Sequence, residues 1–192
     1  MMPEPASEPA HGGPFQSLSP RDRMVGRLIS SMRPEEKSGQ PRIGRGNLAA
    51  LRRMDHDAYD APAFWRLLAQ VTDGAMVYAD DEPRWALIAH GMALMAPDHH
   101  ANIEIGTALH NIDYAEGRLA RLLGARGAQF RALVPRLCRH LASKKQPIDW
   151  FRFARLILSE SRDEEAAEKD RRRIARAYYG AQSKAEAEAT AA

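Results

Sequence analysis

Seven histidines, one cysteine and a cluster of aspartates are the residues of this chain suited to catalysis or metal binding. Their spacing argues against both. His99 and His100 are adjacent, so on a helix they would diverge by about 100°. His90 and His110 stand alone, and neither an HExxH pattern nor a paired CxxC occurs. No metal site and no cofactor are expected. Cys138 and His140 lie two residues apart, diverge on a helix, and Cys138 falls beside a leucine face, which predicts a buried, inert thiol. Asp55, Asp57 and Asp60 imitate a calcium loop but lack its glycine and terminal glutamate, so a solvated turn is expected. Gly44-Arg45-Gly46 precedes a helix without the further glycines and lysine of a phosphate loop. It suits a flexible basic hinge against a phosphate backbone better than a nucleotide site. No arrangement meets the requirements of a catalytic centre, and no enzyme is expected.

Arginine carries the stronger signal. Net charge is only +3, from 28 Lys and Arg against 25 Asp and Glu. Yet Gly117 to Lys145 holds eight cations (Arg118, Arg121, Arg126, Arg131, Arg136, Arg139, Lys144 and Lys145) and no acid, which leaves the remainder of the chain at −5. Segregation of this kind points to a polyanionic partner. On a helical wheel with Arg131 at zero, Arg139 falls at about 80° and Arg136 at about 140°. Leu133, Leu137 and Leu141 fall between about 200° and about 280°, the face expected to bury. Arginine grips phosphate through paired hydrogen bonds, and each neutralised phosphate releases counterions, so binding would weaken steeply with salt. A second basic run, Arg45, Arg52 and Arg53, adds to the candidate surface.

These residues need elements to position them. Ser19-Pro20 reads as the N-cap and first residue of a helix with Met24, Leu28 and Met32 at helical spacing. The polar stretch Pro34–Pro41 ends it. A short helix is expected over about Asn47–Met54. Others open at Pro62 and Pro83, the latter ending at Pro97. A short helix around Ile105 and Leu109 follows a loop holding Asp98, His99 and His100. Leu119, Leu122 and Leu123 mark one helix, and Leu133, Leu137 and Leu141 mark the next. Asp149 is a plausible cap for an apolar helix from Trp150, and a long helix runs from about Arg162 to Tyr179. Trp65, Trp85 and Trp150 sit in apolar stripes and are expected as core anchors. With four valines and no alternating pattern, the fold class is all-α, a compact helical bundle that could divide into two small lobes. The organisation is a disordered tail over residues 1–17, a helical domain over 18–180, and a frayed or disordered tail over 181–192. Hydrophobic residues at 44% suffice for a core. One cysteine, no run of roughly 18 apolar residues and no signal-peptide pattern fit a soluble, cytoplasmic protein.

The order of several motifs resembles one family. Gly46-Asn47-Leu48-Ala49-Ala50-Leu51-Arg52-Arg53 is followed by Pro62-Ala63-Phe64-Trp65-Arg66-Leu67-Leu68. Ile105-Gly106-Thr107-Ala108-Leu109, Arg118-Leu119-Ala120-Arg121-Leu122-Leu123 and Pro147-Ile148-Asp149-Trp150 leading to Ala154-Arg155-Leu156-Ile157-Leu158 come after them. This series resembles the small subunit, CasB, of the type I-E CRISPR surveillance complex Cascade. Tyr178 and Tyr179 fill the slot of a closing aromatic in the family's C-terminal helices, and the likeness runs from Leu18 to Tyr179. The resemblance implies an all-helical, non-catalytic subunit, two copies of which lie along the belly of Cascade beside the crRNA-bearing backbone. Their basic faces would hold the displaced non-target DNA strand and support the R-loop. The family's basic surface carries over to Arg52 and Arg53, and more loosely to Arg118 and Arg121. Between Gly124 and Gln146 this chain is a few residues longer, so Arg126, Arg131, Arg136, Arg139 and Lys144 rest on the wheel argument. Residues 1–17 and Pro34–Arg42 look like additions. The implied partners are the other Cascade subunits, a second copy of the chain, DNA, and crRNA as a further candidate. The competing reading is a helical assembly module whose basic face meets an acidic protein.

Overall fold

The computed structural model describes residues 18–72, 77, 79–96 and 99–191. The 1–17 tail, Pro97 and Asp98 lie outside the described residues. Among those residues there are nine α-helices, one 3-10 turn (Ala79–Asp81) and no strand. The helices are α1 Pro20–Met32, α2 Arg45–Arg53, α3 Pro62–Val71, α4 Glu82–Met95, α5 Ile105–Asn111, α6 Glu116–Gly124, α7 Gly127–Ser143, α8 Trp150–Ser159 and α9 Glu164–Ala191.

The start signals act as read. Ser19 Oγ accepts from the Asp22 amide at 3.1 Å, and Pro20 takes the first helical position, where no amide is needed. The buried stripe of α1 is Val25, Leu28, Ile29 and Met32, with Met24 at its half-buried edge. Asp149 caps α8 by accepting from the Phe151 amide at 3.0 Å. His99 Nδ1 accepts from the Trp150 amide at 3.3 Å, and burial holds the His99 pKa below the ordinary histidine value. A neutral ring nitrogen is what this second cap requires.

The core is one continuous cluster rather than two lobes. Its centre is α4, buried on nearly every side from Trp85 to Met95 and packed against α7, α2, α8, α1 and α3. A helix apolar all round can be stable only when neighbours cover it all round. Helix α5 packs tightly against α9. A Cβ on Gly106 would stand 2.0 Å from the Ile174 carbonyl oxygen and 2.6 Å from the Tyr178 nitrogen, so only glycine permits this approach.

Three features depart from the reading of the sequence. Trp85 and Trp150 are core anchors, but Trp65 is 42% exposed, because Phe64, Leu67, Leu68 and Val71 take the buried face of α3. The buried row of α7 is Phe130, Val134, Leu137, Cys138 and Leu141, with Leu133 displaced to its edge. The last helix continues past Tyr179 to Ala191, and residues 183–191 are exposed. Alanine, glutamate and lysine favour helix without any core contact.

Candidate nucleic-acid interface

The ten cations singled out from the sequence do not share one environment. Arg136 and Arg139 lie on the outer side of α7, exposed, opposite Val134, Leu137, Cys138 and Leu141. Their side chains make no hydrogen bond or ion pair to any described residue, and neither does that of Lys144 just past the helix end. Arg45 and Arg53 on α2, and Arg118 and Arg121 on α6, are likewise exposed and unpartnered among the described residues. Gly44 sits at φ 81°, a conformation natural to glycine, and delivers Arg45 to the first position of α2.

The other three are engaged. Arg52 Nε donates to the Ala93 carbonyl at 2.7 Å and Nη2 to Ala96 at 3.3 Å. It thereby satisfies carbonyls left open at the C-terminal end of α4. Arg131 Nε reaches Asp57 at 3.2 Å. Arg126 reaches Glu164 at 2.9 Å, pairs with Glu168, and donates to the carbonyls of Leu123 and Ala125. The acid-free segment does contain no local partner, but α9 and the α2–α3 turn supply acids from 38 to 74 residues away.

The same α9 acids close a buried network. Arg171, with 3% of its side chain exposed, pairs with Glu160, with Glu168 at 3.0 Å and with Glu164 at 3.3 Å. Glu160 also accepts from the Gly127 amide at 2.8 Å, which ties the start of α7 to the end of α8. Charges so deeply buried are tolerated only when paired on several sides.

Sequence reasoning missed a second set. Lys169, Arg172 and Arg176 are exposed on α9 and make no side-chain bond to any described residue. The signal was available: no acid occurs between Arg171 and Ala185, and the three cations recur at helical spacing.

Cys138 and His90 lie in the packed interior. Cys138 is fully buried and its thiol pKa is pushed far up by burial, which leaves no reactive thiolate. His90 Nδ1 lies 2.8 Å from the Leu51 carbonyl oxygen, deep under α2, and burial lowers its pKa. His100 Nδ1 lies 2.9 Å from the neighbouring Ala101 carbonyl oxygen. Among the described residues no three His, Cys, Asp or Glu side chains group to hold a metal ion. No described helix is long and apolar enough to cross a membrane.

Exposed guanidinium and ammonium groups on rigid helices offer phosphate ligands without sequence preference. Neither a curated protein nor a solved structure matches the chain. The family model for the CRISPR-associated protein Cse2 does, over residues 47–179, a span that runs from α2 to the middle of α9 and takes in most of the candidate cations. The chain belongs to the Cse2 family, whose members are subunits of the CRISPR Cascade complex.

Proposed function

We propose that the chain is a non-catalytic small subunit of a type I-E Cascade that grips the displaced non-target DNA strand and stabilises the R-loop. The observation that carries this reading is the pair Arg136 and Arg139, exposed on α7 with no counter-ion among the described residues. Arg45, Arg53, Arg118, Arg121 and Lys144 extend the same chemistry. Arg52, Arg126 and Arg131 join it only through donors left over from their internal bonds. In an RNA-guided complex, base pairing reads the sequence, while protein holds backbone and the freed strand. Strand exchange is nearly balanced, so a modest grip on the open strand tips it. Such work needs a positive, sequence-indifferent surface and neither a nucleophile nor a metal. The partners are the other Cascade subunits, a second copy of the chain and DNA, with crRNA the further candidate, and the setting is the cytoplasm.

Fluorescence anisotropy of the full chain tests this with unrelated single-stranded and duplex DNAs across a salt series. The wild type binds all sequences alike and loses affinity steeply with salt. Arg136→Glu with Arg139→Glu weakens every oligonucleotide by at least about tenfold and flattens the salt slope by about 1.5. If the double variant instead stops Cascade assembly and binds DNA as the wild type does, the basic face meets an acidic protein and the reading fails.

A further inference from the structure

Helix α9 places three cations and an aromatic ring on one line. With Lys169 at zero on a helical wheel, Arg172 falls at about 300°, Arg176 at about 340° and Tyr179 at about 280°. The four span about 80° of the helix surface and about 15 Å along its axis. All four are exposed, Tyr179 at 46%. Tyr179 and Trp65 are the large hydrophobic side chains most open to solvent among the described residues. The Tyr179 ring rests edge-on against Tyr178 at 5.3 Å between centroids, and Tyr178 is itself anchored by its hydroxyl donating to the Tyr114 carbonyl at 2.6 Å. The exposed ring is thus set on a fixed base.

The acids of α9 leave this line cationic. Asp170 is buried and holds Arg155 through two oxygens, with contacts of 2.6 to 3.1 Å. Glu164 and Glu168 are taken by Arg126 and Arg171. Glu165 lies one turn before Lys169 and bounds the stripe at its N-terminal end. Beyond Asp170 the next acid is Glu186. Tyr114, just before α6, holds Tyr178, and Arg126, just after it, holds Glu164 and Glu168, so both ends of α6 are tied to α9.

Cations spaced along a groove or ridge, together with an exposed aromatic ring, are what a single strand needs: charge for the backbone and a π-face for an unpaired base. We propose that α9 carries a second single-strand contact, in which Lys169, Arg172 and Arg176 take successive phosphates and the Tyr179 ring stacks on a base. This rests on the nucleic-acid reading above and adds to it a preference for unpaired bases. A duplex offers the phosphates and keeps its bases stacked away from Tyr179.

The test uses the full chain with three probes of equal length: oligo(dT), a strand of abasic sites, and a duplex. Lys169→Ala with Arg172→Ala and Arg176→Ala flattens the single-strand salt slope by about 2. Tyr179→Ala weakens oligo(dT) by about tenfold and leaves the abasic strand and the duplex unchanged. Tyr179→Phe restores oligo(dT) binding, and the helical circular dichroism of every variant matches the wild type. If the α9 variants bind oligo(dT) as the wild type does while Arg136→Glu with Arg139→Glu does not, the α9 contact is wrong and the α7 grip stands. Equal loss on oligo(dT) and the abasic strand in Tyr179→Ala removes the stacking claim. A wild type that binds none of the probes at low salt overturns both proposals.

Discussion

Arg171 and Arg139 are the same residue type on neighbouring long helices, yet one is core and the other surface. Arg171 is buried among Glu160, Glu164 and Glu168, where it joins α9 to the start of α7 and stands 5.9 Å over the Phe130 ring. Arg139 points outward with no acid bonded to it among the described residues. An arginine's work is set by which carboxylates the fold brings to it. Arg126, only one residue before α7 begins, belongs with Arg171 rather than with the strip in which the sequence groups it.

Removal of Arg171 carries the largest expected cost. Arg171→Ala leaves Glu160 buried without its main counter-ion, and urea unfolding should record a loss of about 3–5 kcal/mol. Retention of full stability would mean that the network is not closed as described. At the other pole, Arg136→Glu with Arg139→Glu, the variant that should cost DNA affinity, shifts unfolding by no more than about 0.5 kcal/mol, as expected for exposed, unpaired groups. A large stability loss there would make these arginines structural too.

Arg52 sits between the extremes. Arg52→Ala frees the carbonyls of Ala93 and Ala96 at the end of α4 and should cost about 1 kcal/mol in thermal or urea unfolding. An effect confined to DNA binding would return Arg52 to the outer surface. The mildest perturbation is pH. Burial depresses the His90 pKa in the folded chain below its ordinary value, with Arg139 and His56 adding in the same direction. The unfolded state therefore takes up protons first, and stability is full above about pH 6.5 and declines as pH falls through the unfolded and then the folded pKa. His90→Gln should flatten that acid slope in a melting series, and an unchanged slope would assign it to His99 or the carboxylates.

Much of this was legible in the residues themselves. Pro20, Pro62 and Ser19 announce helix starts because a missing amide or a side-chain acceptor suits the first turn wherever it occurs. Asp149 announced α8 for the same reason. The outward position of Arg136 and Arg139 followed from the helical repeat, since it needs only one helix and one buried face. The cationic line on α9 is equally local, but the acids Glu164, Glu165, Glu168 and Asp170 mask it in the linear count.

Other features depend on neighbours far away in the chain. Trp65 lies in an apolar run, but its exposure follows from which side of α3 meets the core. That Gly106 must be glycine is a fact about Ile174 and Tyr178, not about its own helix. The engagement of Arg52, Arg126 and Arg131 depends on carbonyls and carboxylates remote in the chain, on α4, on α9 and in the α2–α3 turn. Helix positions, most of their inward faces and the segregation of charge follow from periodicity and local hydrogen bonding. Which cations remain available to a partner is settled by the packing, because an ion pair needs two groups within a few ångströms, and that separation is a property of the packed chain.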